Sequence, residues 1–397
     1  MTTLRVLITD ADNRSALAAT RSLGARGHKV IIAAERHPAL ASVSRYASAV
    51  ESCPSPSADP QGFVAAIVQI AARQRIDVLL PMTEITTLLL TEHQHLLPEH
   101  CRLPFPPMEC VARASNKAYV VQTAHELGVP IPATHIVDSG AEAVSLAETL
   151  TFPAVIKPAR SRVRTASGWI STAVSYAATR EIYEHKVQNL RPEEYPVLIQ
   201  ERIQGPGVGV FACFDRGKPV AWFTHRRIRE KPPSGGVSVL RESAPLDPAA
   251  VEHATKLLTH LGWHGVAMVE FKRDDRDGSL RLMEINGRFW GSLQLAIDAG
   301  VDFPSLLVEL AAGRHPAPIQ SYRVGVRSRW FWGDVDSLLT VMLRSRASLN
   351  LPPNHPGRLR TLWNFLKFGG KHQRDEILRL NDARPWLLET RRWFIGR

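Results

Sequence analysis

The sequence predicts a mixed α/β and α+β protein: a parallel-sheet domain, a strand-rich central region and a basic, mostly helical C-terminal extension. Three observations carry this prediction. Over roughly the first 112 residues, short apolar runs alternate with helix-like segments, the pattern of a parallel sheet with crossover helices. From Ser115 onward apolar runs follow one another with fewer helices between them, which favours antiparallel pairing. From Ser321 to Arg397 the charge balance shifts: 15 Lys/Arg stand against 6 Asp/Glu, whereas residues 1–320 carry 34 against 32. Five of the nine tryptophans lie in that last stretch, and His315, Pro316 and Pro318 interrupt any helix at its border. The expected units are 1–112, 113–315 (lobes of about 113–200 and 201–315) and 316–397.

In the first unit, Arg5–Thr9 reads as a strand, Ser15–Arg26 as a helix stopped by Gly27, and Val30–Ala34 as a second strand. Phe63–Gln74 reads as a helix and Asp77–Leu80 as a third strand. After the first strand comes Asp10-Ala11-Asp12-Asn13-Arg14-Ser15, with no G-x-G-x-x-G, which argues against a nicotinamide dehydrogenase. Ligands still bind at the carboxyl ends of such strands, so Thr83 and Glu84, just past the third, are candidate substrate contacts. Their alternative role is a helix cap.

In the central unit, a helix over Lys117–Leu127 ends at Gly128. Strands are expected at Ala154–Lys157, Val197–Glu201, Val208–Phe214, Pro219–Thr224, Val266–Phe271 and Leu280–Ile285, with helices at Ala249–Leu261 and Leu293–Ala299. With 44% hydrophobic and 22% charged residues, the 397-residue chain can bury a sizeable core and is not a disordered polymer. No run approaches the ~20 apolar residues of a membrane-spanning helix. The first ten residues lack the basic start and cleavage site of a signal peptide. Four cysteines lack metal-ligand spacing, so reduced thiols and a cytoplasmic location are expected.

Chemistry concentrates in a few polar residues set in apolar strands. Lys117 opens a helix, and Lys157 ends the run Phe152-Pro153-Ala154-Val155-Ile156-Lys157, aiming a point charge at whatever the strand end faces. Glu270 is flanked by Met268, Val269 and Phe271; Glu284 and Asn286 alternate on one face of Met283-Glu284-Ile285-Asn286-Gly287-Arg288. A turn near Asp275–Ser279 allows these strands to pair. Carboxylates in such surroundings are costly unless paired or metal-bound. Three hard oxygen donors suit Mg²⁺ bridging phosphates.

This ordered set resembles the ATP-grasp superfamily, in its carbamoyl-phosphate-synthetase-like, carboxylate–amine ligase branch, over roughly residues 1–315. The resemblance implies an ATP-grasp fold behind an N-terminal Rossmann-like, pre-ATP-grasp domain. It implies that Lys117 and Lys157 hold the ATP phosphates and that Gln200, Glu201, Arg202 and Ile203 form the adenine hinge. It also implies that Glu270, Glu284 and Asn286 bind two Mg²⁺ ions, or Mn²⁺, and that Arg288 stabilises the transferring phosphoryl group. Arg229, Lys231 and Arg241, around Pro232-Pro233-Ser234-Gly235-Gly236, would sit near an acyl phosphate. The implied reaction is ADP-forming: a carboxylate is phosphorylated, then joined to an amine. Two departures stand out. The expected glycine-rich loop is Ala159-Arg160-Ser161-Arg162-Val163-Arg164-Thr165-Ala166-Ser167-Gly168, with one glycine and three arginines, and Gly205–Gly209 has no acid for a ribose. The substrates are expected to be small molecules, and a homodimer fits the resemblance.

In the extension, Leu359, Leu362, Trp363 and Leu366 recur at helical spacing among Arg358, Arg360 and Lys367; Leu338, Leu339 and Leu343 form a second stripe, and Trp386, Leu387, Trp393 and Phe394 follow. Packing on the core is the favoured reading of these helices, with peripheral contact to the inner face of a membrane as the alternative. No nucleic-acid module is recognisable. The competing function is a membrane-associated protein that binds nucleotide without turning it over.

Overall fold

The computed structural model describes residues 2–165, 168–233, 235–346, 348–349, 351, 355–367 and 372–396. Ala166 and Ser167 of the arginine-bearing stretch, and Ser234 of the Pro-Pro-Ser-Gly-Gly segment, lie outside the described residues.

The first sheet has four parallel strands in the order β3-β2-β1-β4: β1 (Arg5–Ile8), β2 (Lys29–Ala34), β3 (Ala47–Ser52) and β4 (Val78–Leu80). α1 (Arg14–Ala25), α2 (Pro60–Arg73) and α3 (Glu84–Glu92) connect or follow them. The three strands read from the sequence are buried almost throughout, as strands covered on both faces must be. β3 was not expected. It is the edge strand, its residues alternating between half-buried and exposed, so it has no apolar run to betray it. Asp59 caps α2 by accepting from the Gly62 amide (2.9 Å), with Pro60 in the first turn.

α4 (Met108–Ser115) and α5 (Lys117–Glu126) lead into a small lobe. Its sheet, β5-β10-β6-β9, combines β5 (Thr134–Val137), β6 (Ala154–Pro158), β9 (Ser175–Ala177) and β10 (Val197–Glu201), backed by α6 (Gly140–Ser145) and α7 (Arg180–Gln188). The stretch expected as a loop after Lys157 carries a β-hairpin, β7 (Arg162–Thr165) with β8 (Gly168–Ser171). Its Arg164 pairs with Glu92 at the end of α3 (2.9 Å), tying the hairpin to the first domain.

A seven-stranded sheet forms the large lobe, ordered β15-β14-β11-β12-β13-β16-β17. It contains β11 (Gly207–Asp215), β12 (Lys218–Lys231), β13 (Val237–Ser243), β14 (Gly265–Arg273) and β15 (Leu280–Asn286). α8 (Pro248–His260) packs on one side, with α9 (Leu293–Ala299) and α10 (Phe303–Ala311) on the other, where they share a core with the first domain. β12 runs seven residues past the expected end at Thr224, which puts Arg229 and Lys231 on a strand.

The C-terminal extension is not purely helical. β16 (Arg327–Arg329) and β17 (Gln373–Asp375) continue the large sheet, and α11 (Phe331–Leu343), α12 (Arg358–Leu366) and α13 (Arg384–Ile395) surround them. Charge bolts it down. Glu376, almost fully buried, takes Arg14 of α1 (2.6 Å) and Arg241 of β13 (2.5 Å); Asp382 takes Arg21 (2.8 Å) and the Ser44 hydroxyl (2.7 Å). Asp334 is shared by Arg229 and Arg329 (2.5 and 2.7 Å). The Trp330 indole donates to Glu389 (2.7 Å) beneath the Arg14 guanidinium, and Trp332 stacks on Trp393 with ring centroids 4.2 Å apart.

Removing one member of a buried ion cluster strands the others, at about 3–5 kcal/mol. Glu376→Ala is therefore expected to lower unfolding stability by about that amount in urea titration, because two guanidinium groups lose their common carboxylate. Glu389 gives a pH signature. Burial raises its carboxyl to about 7, against the opposing indole hydrogen bond and with Asp375 adding to the rise. The folded state thus binds this proton more tightly than the unfolded chain. The stabilisation is complete below the ordinary carboxylate range and is lost as pH climbs through about 7. Thermal melts should show Tm falling across that window in wild type and flattening in Glu389→Gln, which keeps a carbonyl acceptor for Trp330.

Candidate active site

Pairing of β14 with β15 sets Glu270 directly opposite Glu284, with a bulge immediately after Glu270. Like charges facing each other across a ladder repel, so counter-charge must come from elsewhere. Four cations supply it. Arg227 on β12 donates to Glu270 Oε1 (2.8 Å). Lys117, the first residue of α5, sits with Nζ 3.8 Å from Glu284 Oε2 and donates to the Ser161 hydroxyl (2.8 Å). Asn116 caps that helix, accepting from the Ala118 and Tyr119 amides, and so fixes where Lys117 emerges. Lys157, near the end of β6, reaches the Met283 carbonyl (3.4 Å) beside Glu284. Arg288 donates to Asn286 Oδ1 (3.1 Å), while Asn286 Nδ2 donates to Glu284 Oε1 (2.9 Å).

The two carboxylates differ electrostatically. Burial pushes Glu270 up; Arg227 opposes this and the Glu284 charge adds to it. Burial also resists ionisation of Glu284, but Lys117, Asn286, Lys157 and Arg288 outweigh it and hold that carboxyl low. Burial draws Lys157 down, with Glu284 as its main support. Burial raises Glu84, only partly offset by Arg288 and Lys117.

One cavity is lined by Glu84, Lys117, Ser161, Glu284, Asn286 and Arg288. A second, at the carboxyl ends of β1 and β4, is lined by Asp10, Asn13, Thr83, Glu84, Arg162 and Arg288. Glu84 and Arg288 line both, so the cavities adjoin across these two side chains. Gly287 has a steric reason: a Cβ there would lie 2.3 Å from the buried Trp263 ring, which presses on the chain between Asn286 and Arg288.

Other expected residues are placed differently. Thr83 caps α3 and donates to Asp10 (3.0 Å), so the capping role is the one the structure displays, although its residue still lines the second cavity. Arg229, Lys231 and Arg241 are not brought to either cavity. They are held by Asp334, Asp336 and Glu376 of the extension, whose carboxylates take up their charge. At the hinge, Gln200 donates to Thr134 (2.9 Å), and the Glu201 carboxylate is taken by the Ala133 amide (3.0 Å) and Arg276 (2.9 Å). The Glu201 side chain thus joins small lobe to large, its own amide donates to the Ala133 carbonyl (3.0 Å), and the Ile203 carbonyl accepts from Lys272 (3.0 Å). Gln200, Glu201 and Arg202 line a groove with Thr149–Ala154 and Arg276. Sequence reasoning missed Arg227 and Ser161. The run Arg226-Arg227-Ile228-Arg229 was a signal for the former; nothing marked the latter.

Among the described residues, no group of three or more His, Cys, Asp or Glu could hold a metal. The candidate set is two carboxylates and an amide oxygen, which fits Mg²⁺, an ion that takes one or two protein carboxylates and fills its shell with phosphate and water oxygens.

Residues 193–331, from just before β10 to the start of α11, match a family model described as ATP-grasp in the biosynthetic pathway with Ter operon. The arginine-specific large chain of carbamoyl phosphate synthase from Geobacillus stearothermophilus is 28% identical over 229 residues, 53% of this chain and 21% of that one. The chain thus matches about a fifth of that relative's length. Among solved structures, Campylobacter jejuni biotin carboxylase in complex with β,γ-ATP aligns over 82% of this chain and 74% of its own (18% identity, TM-score 0.65). An L-amino acid ligase from Bacillus licheniformis aligns over 80% and 76% (18% identity, TM-score 0.59). Sheet order and these likenesses converge on the fold: the chain has an ATP-grasp fold, and its residues 193–331 match an ATP-grasp family.

Proposed function

We propose that this chain is an ATP-dependent, ADP-forming ligase that activates a carboxylate as an acyl phosphate and joins it to an amine. The observation that carries this reading is the Glu270–Glu284 pair, half-buried opposite one another and ringed by Lys117, Lys157, Arg227 and Arg288. A surplus of cations around carboxylates built to share a metal is what a polyphosphate needs. Glu270, Glu284 and Asn286 would hold Mg²⁺, which supplies charge neutralisation on the phosphates when bound. Relatives' names support the class: a carbamoyl phosphate synthase chain, a biotin carboxylase and an amino acid ligase.

The chain's own residues divide the work. Lys117 and Lys157 bind phosphate oxygens, and the backbone at Glu201–Ile203 receives the base. A carboxylate oxygen of the substrate attacks the γ-phosphorus as the bond to the ADP oxygen breaks. Arg288, which lines both cavities, stabilises the charge on the phosphoryl group in transit. In the second step the amine attacks the acyl carbon and phosphate leaves. Glu84 also lines both cavities, and burial makes it a stronger base than an ordinary carboxylate, so it accepts the amine's proton. The substrates are small molecules held at the strand ends of the first domain, and the enzyme works in the cytoplasm, as a monomer or a homodimer.

The test is ADP and phosphate release with ATP and Mg²⁺ across a panel of carboxylic acids, amino acids and amines. Release that requires both a carboxylate and an amine, and is lost in Glu284→Ala, is the expected result. Tight ATP binding with no turnover for any pair would favour the binding-only protein; no ATP binding would remove the reading altogether. Lys157→Met should weaken nucleotide binding at least tenfold, by about 1.4 kcal/mol or more, in calorimetric titration. Glu84→Gln should leave nucleotide affinity unchanged and lower kcat by about 10²-fold, the usual contribution of a general base.

A further inference from the structure

The C-terminal extension buries some of its apolar side chains against the core and leaves others in water. On α12, Leu359, Trp363 and Leu366 are 82%, 62% and 52% exposed, and their spacing of four and three residues puts them on one face. Leu343, at the end of α11, is 79% exposed. The two helix ends meet, because Arg358 donates to the Arg344 carbonyl (3.0 Å), so Leu343 and Leu359 belong to one patch. Phe331 and Phe365 pack the helices together from behind, with ring centroids 6.4 Å apart.

The chain segment that carries this patch is basic. From Ser337 to Arg374 the chain carries seven Lys/Arg and no Asp/Glu. Arg344, Arg358, Arg360 and Lys367 are exposed, and Arg358, Arg360 and Lys367 have no carboxylate partner among the described residues. Elsewhere in the extension the pattern is the reverse: its carboxylates Asp334, Asp336, Glu376 and Asp382 are spent on the core's own arginines and lysine. Those four carboxylates answer the core, and the outward α11–α12 face is Leu, Trp, Lys and Arg.

We infer that the α11–α12 face docks on an anionic lipid surface. Tryptophan and leucine enter the headgroup boundary while arginine and lysine meet phosphate headgroups, the composition of an interfacial helix. Two other occupants fit less well. A second copy of the chain would set Arg344, Arg358, Arg360 and Lys367 against the same four residues, like charge against like, which opposes association. A nucleic acid would satisfy the charge but leave Leu343, Leu359 and Leu366 without an apolar partner. Among the described residues no helix is long and apolar enough to cross a bilayer, so the contact is at the surface. The inference does not depend on the ligase reading.

The experiment is sedimentation of the full chain with phosphatidylcholine vesicles, with and without phosphatidylglycerol, at low and high salt. Binding is expected only to the anionic vesicles, weakened by salt. Two variants on exposed positions, Leu359→Glu with Trp363→Glu, and Arg358→Gln with Arg360→Gln and Lys367→Gln, should each weaken binding at least tenfold while circular dichroism and thermal melting stay at wild type. Absence of vesicle binding, or binding that neither variant reduces, would overturn the inference. So would a dimer in sedimentation velocity that Leu359→Glu dissolves in a protein that ignores vesicles, which would assign the face to a second copy. Retention of an oligonucleotide without vesicle binding would assign it to nucleic acid and overturn the inference equally.

Discussion

The structure is organised around a repulsion. β14 and β15 place Glu270 and Glu284 face to face between buried apolar residues, where two carboxylates left alone would cost more than their strands return by packing. The fold answers by drawing cations from four separate segments: α5 for Lys117, β6 for Lys157, β12 for Arg227 and the turn after β15 for Arg288. These segments belong to both lobes, so the electrostatic need of one strand pair fixes how the lobes face each other. The hinge follows the same logic, since Arg276 of the large lobe and the Ala133 amide of the small lobe compete for the same Glu201 carboxylate and share it.

A second set of ion pairs does different work with the same residue types. Arg229, Lys231 and Arg241 looked like active-site cations because of the loop they flank. Each is answered by an acid from the extension, about 105 to 135 residues later in the chain. A cation whose charge is already taken by a buried carboxylate has little left for a substrate. The distinction between an arginine available to a ligand and one spent on the fold therefore lies in its partner. Arg288 bonds an amide oxygen and a backbone carbonyl, which leaves its positive charge available; Arg241 bonds Glu376, which does not.

This difference also explains what the sequence disclosed. Strands buried on both faces, such as Val30–Ala34 and Val197–Glu201, announced themselves as apolar runs, and polar residues inside such runs, Glu270, Glu284 and Lys157, stood out as anomalies demanding a reason. The site was legible wherever a residue contradicted its local surroundings. It was illegible where local surroundings were ordinary. β3 alternates like any edge strand, the arginines after Lys157 fold as a hairpin with no apolar signature, and Ser161 is one hydroxyl among many. Long-range pairing, the property that separates Arg241 from Arg288, leaves no trace in the neighbourhood of either residue.

The uneven charge of the chain then has a physical sorting behind it. The main body is nearly neutral because its acids and bases meet one another or meet across the cleft, and the extension's few acids are consumed in anchoring it. One outward face remains without acid partners, and it also carries the exposed Leu343, Leu359, Trp363 and Leu366. Charge alone would be unremarkable on a soluble surface, and scattered leucines need no explanation. Their coincidence where two helices join, with no carboxylate between Ser337 and Arg374, is a separation of function within one extension: its inner side completes the sheet, and its outer side is left free to meet a surface of opposite charge.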